Sequence, residues 1–356
     1  MNDFKYHLGI DLHKKTSYWT LIDHDRQTLY KKNLLTSKEG IEQGIREMGI
    51  APSLVEAAIE QVSQWGWYGE LLEKEGLTVH LVDAYKAKLI GGTKLKNDKM
   101  DSVALAELMR SDFLPTAYRA PEATRDMREF MRHRAFLVRL RARVRGRVHQ
   151  ILWKHGEQCP YADLFGLKAQ TWLRSLKLRS PYQEEREELM TMWQETSARI
   201  TAHDLTCKEL TGRNPKAQLL MSIPGIGLIT SLTILAEVGD FSRFRSGEKL
   251  ASYAGLVSSS YSSGERTRLG HITHRGSVWL RTALVEATNT VNPKWGHLHD
   301  FYLRIKEKKG SKVARVALAR KMLVLSWHLV KSDQYFKASV GHSDSVKQGT
   351  RTFLAH

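Results

Sequence analysis

The order of elements predicts an α/β N-terminal part joined to a mostly helical C-terminal part. Up to about residue 110, short apolar runs alternate with helical patterns. From about Pro121, the alternation gives way to long arginine-rich helical periods, and an apolar region broken by "PGIG" follows Asn214.

"KYHLGIDLH", "TSYWTLIDHD" and "QTLYKKNLLT" read as three strands whose short links suit an antiparallel meander. "SKEGIEQGIREM" reads as a helix with Ser37 as N-cap. "SLVEAAIE" reads as a buried strand, with a helical alternative over "VEAAIE". "WGWYGELLEKEG" is a helix stopping at Gly76, "LTVHLVD" a fifth strand and "DSVALAELMRS" a helix. This order matches the ribonuclease H-like fold, with the fourth strand beside the first. An uninterrupted parallel sheet would need a crossover after every strand.

Arg125 to Lys154 holds nine Arg and one Lys against two acids. Apolar residues recur at helical spacing at Phe130, Phe136, Leu137, Leu140, Val144, Val148, Ile151 and Leu152. With few acids nearby, arginines such as Arg139, Arg141, Arg143, Arg145 and Arg147 are expected to hold phosphates rather than only to solvate a helix face. Glu184 to Leu210 reads as a second long helix, pairing with the first or serving oligomerisation. Beyond it come an apolar hairpin, a Ser/Gly-rich loop, and the helices "SVWLRTALVEATNTV" and "SKVARVALARKMLVLSWHLV". The expected division is 1–120, a helical linker 121–212, a C-terminal domain 213–331 and a polar, loose tail 332–356.

With 356 residues and 42% hydrophobic residues, the chain can bury a core. A net charge of +17 points to a polyanionic partner, nucleic acid before membrane. Cys159 and Cys207 form no CxxC, so zinc-ribbon and disulfide-scaffold classes are excluded and a reducing cytoplasm is expected. The N-terminus has no signal-peptide pattern. Residues 217–236 carry no charge over a membrane-crossing length, but "PGIG" breaks them, which favours a buried helical hairpin and no membrane.

Asp98 and Asp101 lie at i and i+3 where a loop enters a helix. Alone they suit a helix start. In the predicted fold they join Asp11 on the first strand and Glu60 at the end of its neighbour, with Glu56 as a rival. Such a carboxylate set suits two Mg²⁺ ions roughly 4 Å apart for phosphoryl transfer. "GIDLHKKTSYWTLID" also suits the first hairpin of actin-like ATPases, but Leu12-His13-Lys14-Lys15 is too bulky for their phosphate turn. Gly225 and Gly227 in "PGIG" fit either a helix-hairpin-helix offering N–H groups to DNA phosphate or a plain tight turn. The serine-rich "YAGLVSSSYSSGERTRLGHITHRGS" brings Arg266, Arg268 and Arg275 near serines; a serine there could attack phosphorus, or the stretch could be only a loop.

"GIDLHK", "KLKNDKMDSVALAEL", "IPGIG" and the serine stretch through "GSVWLRTALVEA" stand in an order that resembles the DEDD transposases of the IS110 insertion-sequence family, from about Tyr6 to Val330. The resemblance implies a RuvC-like domain, a coiled-coil linker and a C-terminal transposase domain. Its four acids correspond to Asp11, Glu60, Asp98 and Asp101, and its nucleophilic serine to Ser263, with Ser262 adjoining. It further implies double-stranded DNA substrates, a bridge RNA as guide, a covalent serine–DNA intermediate and a dimer or tetramer. The family pattern has glycine a few residues after the Glu; this chain reads "EQVSQWGW". Two other functions are compatible with the acids and charge: a junction nuclease using water, and a non-catalytic nucleic-acid-binding protein.

Overall fold

The structure is a computed structural model describing residues 5–91, 98–263, 266–272 and 276–337. The chain divides into two compact units, residues 1–119 and 120–356.

The first unit is built on a mixed five-stranded sheet. Strands β1 (Tyr6–Leu12), β2 (Thr16–Asp23) and β3 (Thr28–Leu35) form an antiparallel meander. Strands β4 (Val55–Glu60) and β5 (Thr78–Val82) extend it in parallel on the other side of β1. The order is β3-β2-β1-β4-β5, so the fourth strand lies beside the first as the sequence predicts. Strand β1 is buried almost end to end because both its faces are covered. Polar β3, with Lys31 and Lys32, takes an edge.

One face of the sheet packs Leu8, Ile10, Trp19, Val55, Ala57 and Ile59 against helices α1 (Lys38–Met48) and α2 (Trp65–Lys74). Each fully buried aliphatic side chain there contributes about 1.5–3 kcal/mol. Trp19 Nε1 donates to Tyr68 OH at 2.9 Å, and burial pushes that phenol up to about 12. Ser37 caps α1, its side chain accepting from Gly40 N, and Gly49 closes it at φ 64°.

The other face carries α3 (Ala84–Gly91), absent from the sequence reading, and α4 (Asp98–Arg110). Leu105 and Met109 of α4 pack on Ala58 and Val82. The approach is close at Gly9, where a Cβ would lie 1.9 Å from Ser102 O. Only glycine there lets α4 rest on β1. Ser102 Oγ and Thr20 Oγ1, 2.8 Å apart, satisfy each other in the same buried seam.

Among its described residues, the second unit is helical apart from one hairpin. Helices α5 (Glu122–Lys154) and α7 (Tyr182–Gly212) run antiparallel, since Met131 meets Cys207 and Arg147 meets Glu185. Helix α6 (Leu167–Ser175), also unforeseen, packs its Leu173 with Val148, Leu152 and Met190. Buried Arg186 donates to Leu173 O and Leu176 O at 2.7 and 2.8 Å, satisfying the end of α6. Phe136, one of the apolar residues at helical spacing, is exposed, while Met131 is buried.

Helices α8 (Pro215–Met221), α9 (Leu228–Val238) and α10 (Gly247–Tyr253) follow, the last unforeseen. Residues 217–236 thus split into two short helices about "PGIG", and no helix among the described residues is long and apolar enough to cross a membrane. The stretch read as a Ser/Gly-rich loop is an antiparallel hairpin of β6 (Ser258–Ser263) and β7 (Arg266–Ile272). Helices α11 (Val278–Ala287) and α12 (His297–Ser332) close the unit, α12 broken at Gly310 with φ 79° and ψ 166°. Leu220, Ile234, Leu280, Leu318 and Met322 form its core. Met131 and Cys207 also share a cluster with Ala217, Leu232 and Ala236, so the long helices pack with the C-terminal ones. The first tail residues are docked rather than loose: Phe336 N donates to Ser222 Oγ at 2.8 Å. The rest of the tail lies outside the described residues.

Candidate active site

Asp11 and Glu60 come from adjacent parallel strands. The register pairs Gly9 with Ala58 and Ile10 with Ile59. Ile10 and Ile59 both enter the core against α1 and α2. Strand alternation therefore turns Asp11 and Glu60 to the opposite face, which α4 covers. The direction of α4 decides where its own acids fall. Arg110, at its C-terminal end, donates to His24 O at 3.4 Å, just past the β2 residue that pairs with Tyr6. Ser102 sits over Gly9, midway along β1. The N-terminal end of α4, with Asp98 and Asp101, thus runs toward the end of the sheet that holds Asp11 and Glu60.

Asp11 is 8% exposed, and its Oδ2 lies 3.0 Å from His13 Nε2. In the sequence, the signal for this contact is the spacing of two residues between Asp11 and His13. Glu60 and Asp101 are half-buried, and neither forms an ion pair among the described residues. Side chains of this kind, all oxygen donors in a partly buried place, suit a hard divalent cation. Asp98 opens α4, and its backbone position is what the structure describes. Without its side chain, no three candidate ligands gather closely among the described residues. Glu56 lies elsewhere: register puts it beside His7, with Oε1 2.8 Å from His7 Nδ1 and Oε2 3.0 Å from His80 Nε2.

In the second unit, Ser263 ends β6, with Ser262 before it, and Arg266 and Arg268 lie on β7. Ser263 pairs in register with Arg266 across the hairpin. Arg275 lies outside the described residues. In the "PGIG" turn, Gly225 has φ +85° and a Cβ there would meet the Trp295 ring at 2.2 Å. Its glycine is therefore explained by packing. Gly227 is exposed with open space around it and caps α9 without a side-chain bond, leaving its turn free to receive an anion.

The arginines of α5 are less free than their number suggests. Arg145 pairs with Asp163 at 3.2 Å and Arg147 with Glu185 at 2.5 Å. Arg134 meets Asp204 at 2.6 Å, and Arg139 stacks on Trp279 with 4.1 Å to the ring centre. Arg141 and Arg143 pair with no acid among the described residues, which narrows the candidate phosphate contacts.

Two family profiles match the chain in order. The one described as DEDD transposase of IS110 type matches residues 8–155, spanning β1 to α5. The other, described as transposase of the IS116/IS110/IS902 family, matches 217–303, from α8 into α12. The chain belongs to the IS110-family DEDD transposases. A probable family 20 transposase of Pseudomonas aeruginosa is 25% identical over 342 residues, 93% of this transposase and 98% of that protein. The transposase for insertion sequence element IS1111A of Coxiella burnetii is 32% identical over 134 residues, 36% of this chain and 37% of its own. A pilin gene-inverting protein of Moraxella bovis is 34% identical over 126 residues, 35% and 39% of the two chains. The transposase is thus a DNA-cleaving and recombining enzyme of an insertion sequence. Its family is typically metal-dependent.

Proposed function

We propose that this transposase is an RNA-guided DNA recombinase that moves its element through a covalent serine–DNA intermediate. The observation that carries the reading is the descent of α4 onto Gly9, which aims the helix start bearing Asp98 and Asp101 at the end of the sheet bearing Asp11 and Glu60. These carboxylates hold Mg²⁺, two ions in the full set, which when bound neutralise charge developing on the phosphate. His13 fixes the orientation of the Asp11 carboxylate. The N-terminal unit is read as ribonuclease H-like and RuvC-like, supported by its strand order.

Ser263 attacks a DNA phosphorus: its Oγ–P bond forms, the P–O bond to the leaving strand breaks, and that strand end departs as a hydroxyl. Arg266, Arg268 and Arg275 stabilise the charge on the phosphate, and Gly227, Arg141 and Arg143 hold nucleic-acid backbone. A bridge RNA pairs with element ends and target, which suits a protein whose basic surface reads phosphates rather than bases. The linker 121–212 and the C-terminal domain 213–331 are read as functional subdivisions, with "PGIG" as a helix-hairpin-helix and α5 with α7 as the coiled coil. The protein works as a dimer or tetramer on DNA in the bacterial cytoplasm. The gene-inverting relatives support strand exchange as the outcome.

The test uses end-labelled element DNA with its RNA. The wild type is expected to leave a protein–DNA species that survives denaturation, and Ser263→Ala to leave none. Cleavage that persists in Ser263→Ala, with loss only in Asp11→Asn, would establish a nuclease using water instead.

A further inference from the structure

Glu237 is a buried acid with no place in the carboxylate set above. It lies near the C-terminus of α9 and is 2% exposed. Burying a carboxylate is costly unless its oxygens are hydrogen-bonded, so its partners show what holds it there. Its Oε1 accepts from Arg132 Nε at 2.8 Å and its Oε2 from Arg132 Nη2 at 3.0 Å, a two-point clamp to α5. Oε2 also accepts from Ser277 Oγ at 2.8 Å. Ser277 is the N-cap of α11, where the chain arrives from the β6–β7 hairpin, and its Oγ accepts from Leu280 N at 3.1 Å.

The surrounding contacts converge on the same place. Arg128 of α5 donates to Ala236 O at 3.1 Å and to Glu237 O at 3.4 Å. Tyr253 OH donates to Glu237 O at 3.3 Å, and Gly276 (φ +98°) lies so close that a Cβ would fall 1.8 Å from Tyr253 O. On the side where the chain leaves α10 for β6, Arg281 donates to Ala254 O at 3.0 Å. Both feet of the serine hairpin are thus pinned. Among the described residues, the Glu237 side chain bonds at once to a foot of the hairpin and to helix α5.

We infer that Glu237 is a positioning residue: with Ser277 and Arg132 it fixes the serine hairpin against α5 and sets where Ser263 stands relative to bound DNA. The inference rests on Ser263 as the nucleophile. It requires no contact between Glu237 and DNA. The effect belongs to reaction at saturating DNA rather than to affinity, because displacement of a reacting group by about 1 Å costs about 10²-fold in rate.

The full-length protein with its RNA and a labelled DNA end is used, measuring DNA affinity, thermal melting and the rate of covalent adduct formation at saturating DNA. Glu237→Gln is expected to slow adduct formation about 10²-fold, with affinity within about twofold of wild type. Ser277→Ala, which removes the bond to Glu237 together with the side-chain cap of α11, is expected to slow it about tenfold, and Ser277→Thr, which keeps a hydroxyl for both, to restore it. If Glu237→Gln does not fold, the Ser277 pair decides. Wild-type rates in folded Ser277→Ala, or an affinity loss as large as the rate loss, overturn the inference. Ser263→Ala is run alongside. An adduct in that variant refutes the nucleophile itself. Its absence, together with wild-type behaviour of Glu237→Gln and Ser277→Ala, refutes only the role of Glu237.

Discussion

Glu56 and Glu60 lie on the same face of β4, four residues apart, yet they do different work. Register sets Glu56 beside His7 at one end of the sheet and Glu60 level with Asp11 at the other. Burial alone would raise the Glu56 pKa. Hydrogen bonds from His7 and then His80 outweigh it and hold the carboxyl down at about 2. A depressed carboxylate gives stability that is complete above the ordinary glutamate value and is lost as pH falls through the folded one. For Glu56 that window runs from about pH 4.5 down to about 2. Denaturant unfolding measured across it should show Glu56→Gln with a flatter acid limb than wild type; an identical limb would remove Glu56 from the account. The Glu237 substitutions belong to this same scale, where one carboxylate decides an orientation.

Helix α5 shows why a count of arginines overstates a binding surface. Arg132 and Arg134 are tied to α9 and α7 acids, and Arg145 and Arg147 to Asp163 and Glu185. The more exposed pairs of Arg145 and Arg147 are weak, about 0–1 kcal/mol, but a guanidinium already facing a carboxylate gains less from a phosphate. Arg141 and Arg143 face no such competitor among the described residues. Each phosphate contact contributes about 0.9 to the slope of log affinity against log salt. Arg141→Ala and Arg143→Ala are therefore expected to flatten that slope by about 1 each in a titration of DNA binding, with melting unchanged. Arg145→Ala and Arg147→Ala should flatten it less. Equal slopes for all four variants would place the phosphate contacts elsewhere.

At the scale of the whole molecule, the two candidate chemistries sit in separate units, the acids within residues 1–119 and the serine within 120–356. A transposase acting as a dimer or tetramer can draw the acids from one protomer and the serine from another. Co-expressed Asp11→Asn and Ser263→Ala chains are then expected to recover recombination that neither variant performs alone. A mixed assembly as inactive as its components would mean that both groups must come from one chain. The net charge of +17 acts at this scale too, drawing the protein to any polyanion and leaving sequence choice to other elements.

Local chemistry made much of the fold readable. Short apolar runs marked β1 to β5, with a helical alternative left open over β4, Ser37 marked the start of α1, and the succession of elements implied β4 beside β1, as observed. Short or polar elements escaped. Helices α3, α6 and α10 span too few turns for a clear period, and β6, nearly all serine, carries no apolar alternation. Asp11, Asp98 and Asp101 were legible as acids in telling places, but only the close seat of α4 on Gly9 and its direction along β1 bring that helix's start to the Asp11 end of the sheet. Glu237 shows the limit most clearly. Its one local signal is that it ends a run without charge, residues 217–236, while its partner Arg132 lies 105 positions away. Sequence alone determined which residues could carry charge, cap a helix or enter a strand, because those preferences act over a few residues. Only the tertiary structure decided which carboxylate meets a histidine, an arginine or the free end of the sheet, because such partners are set by register and helix direction between distant segments.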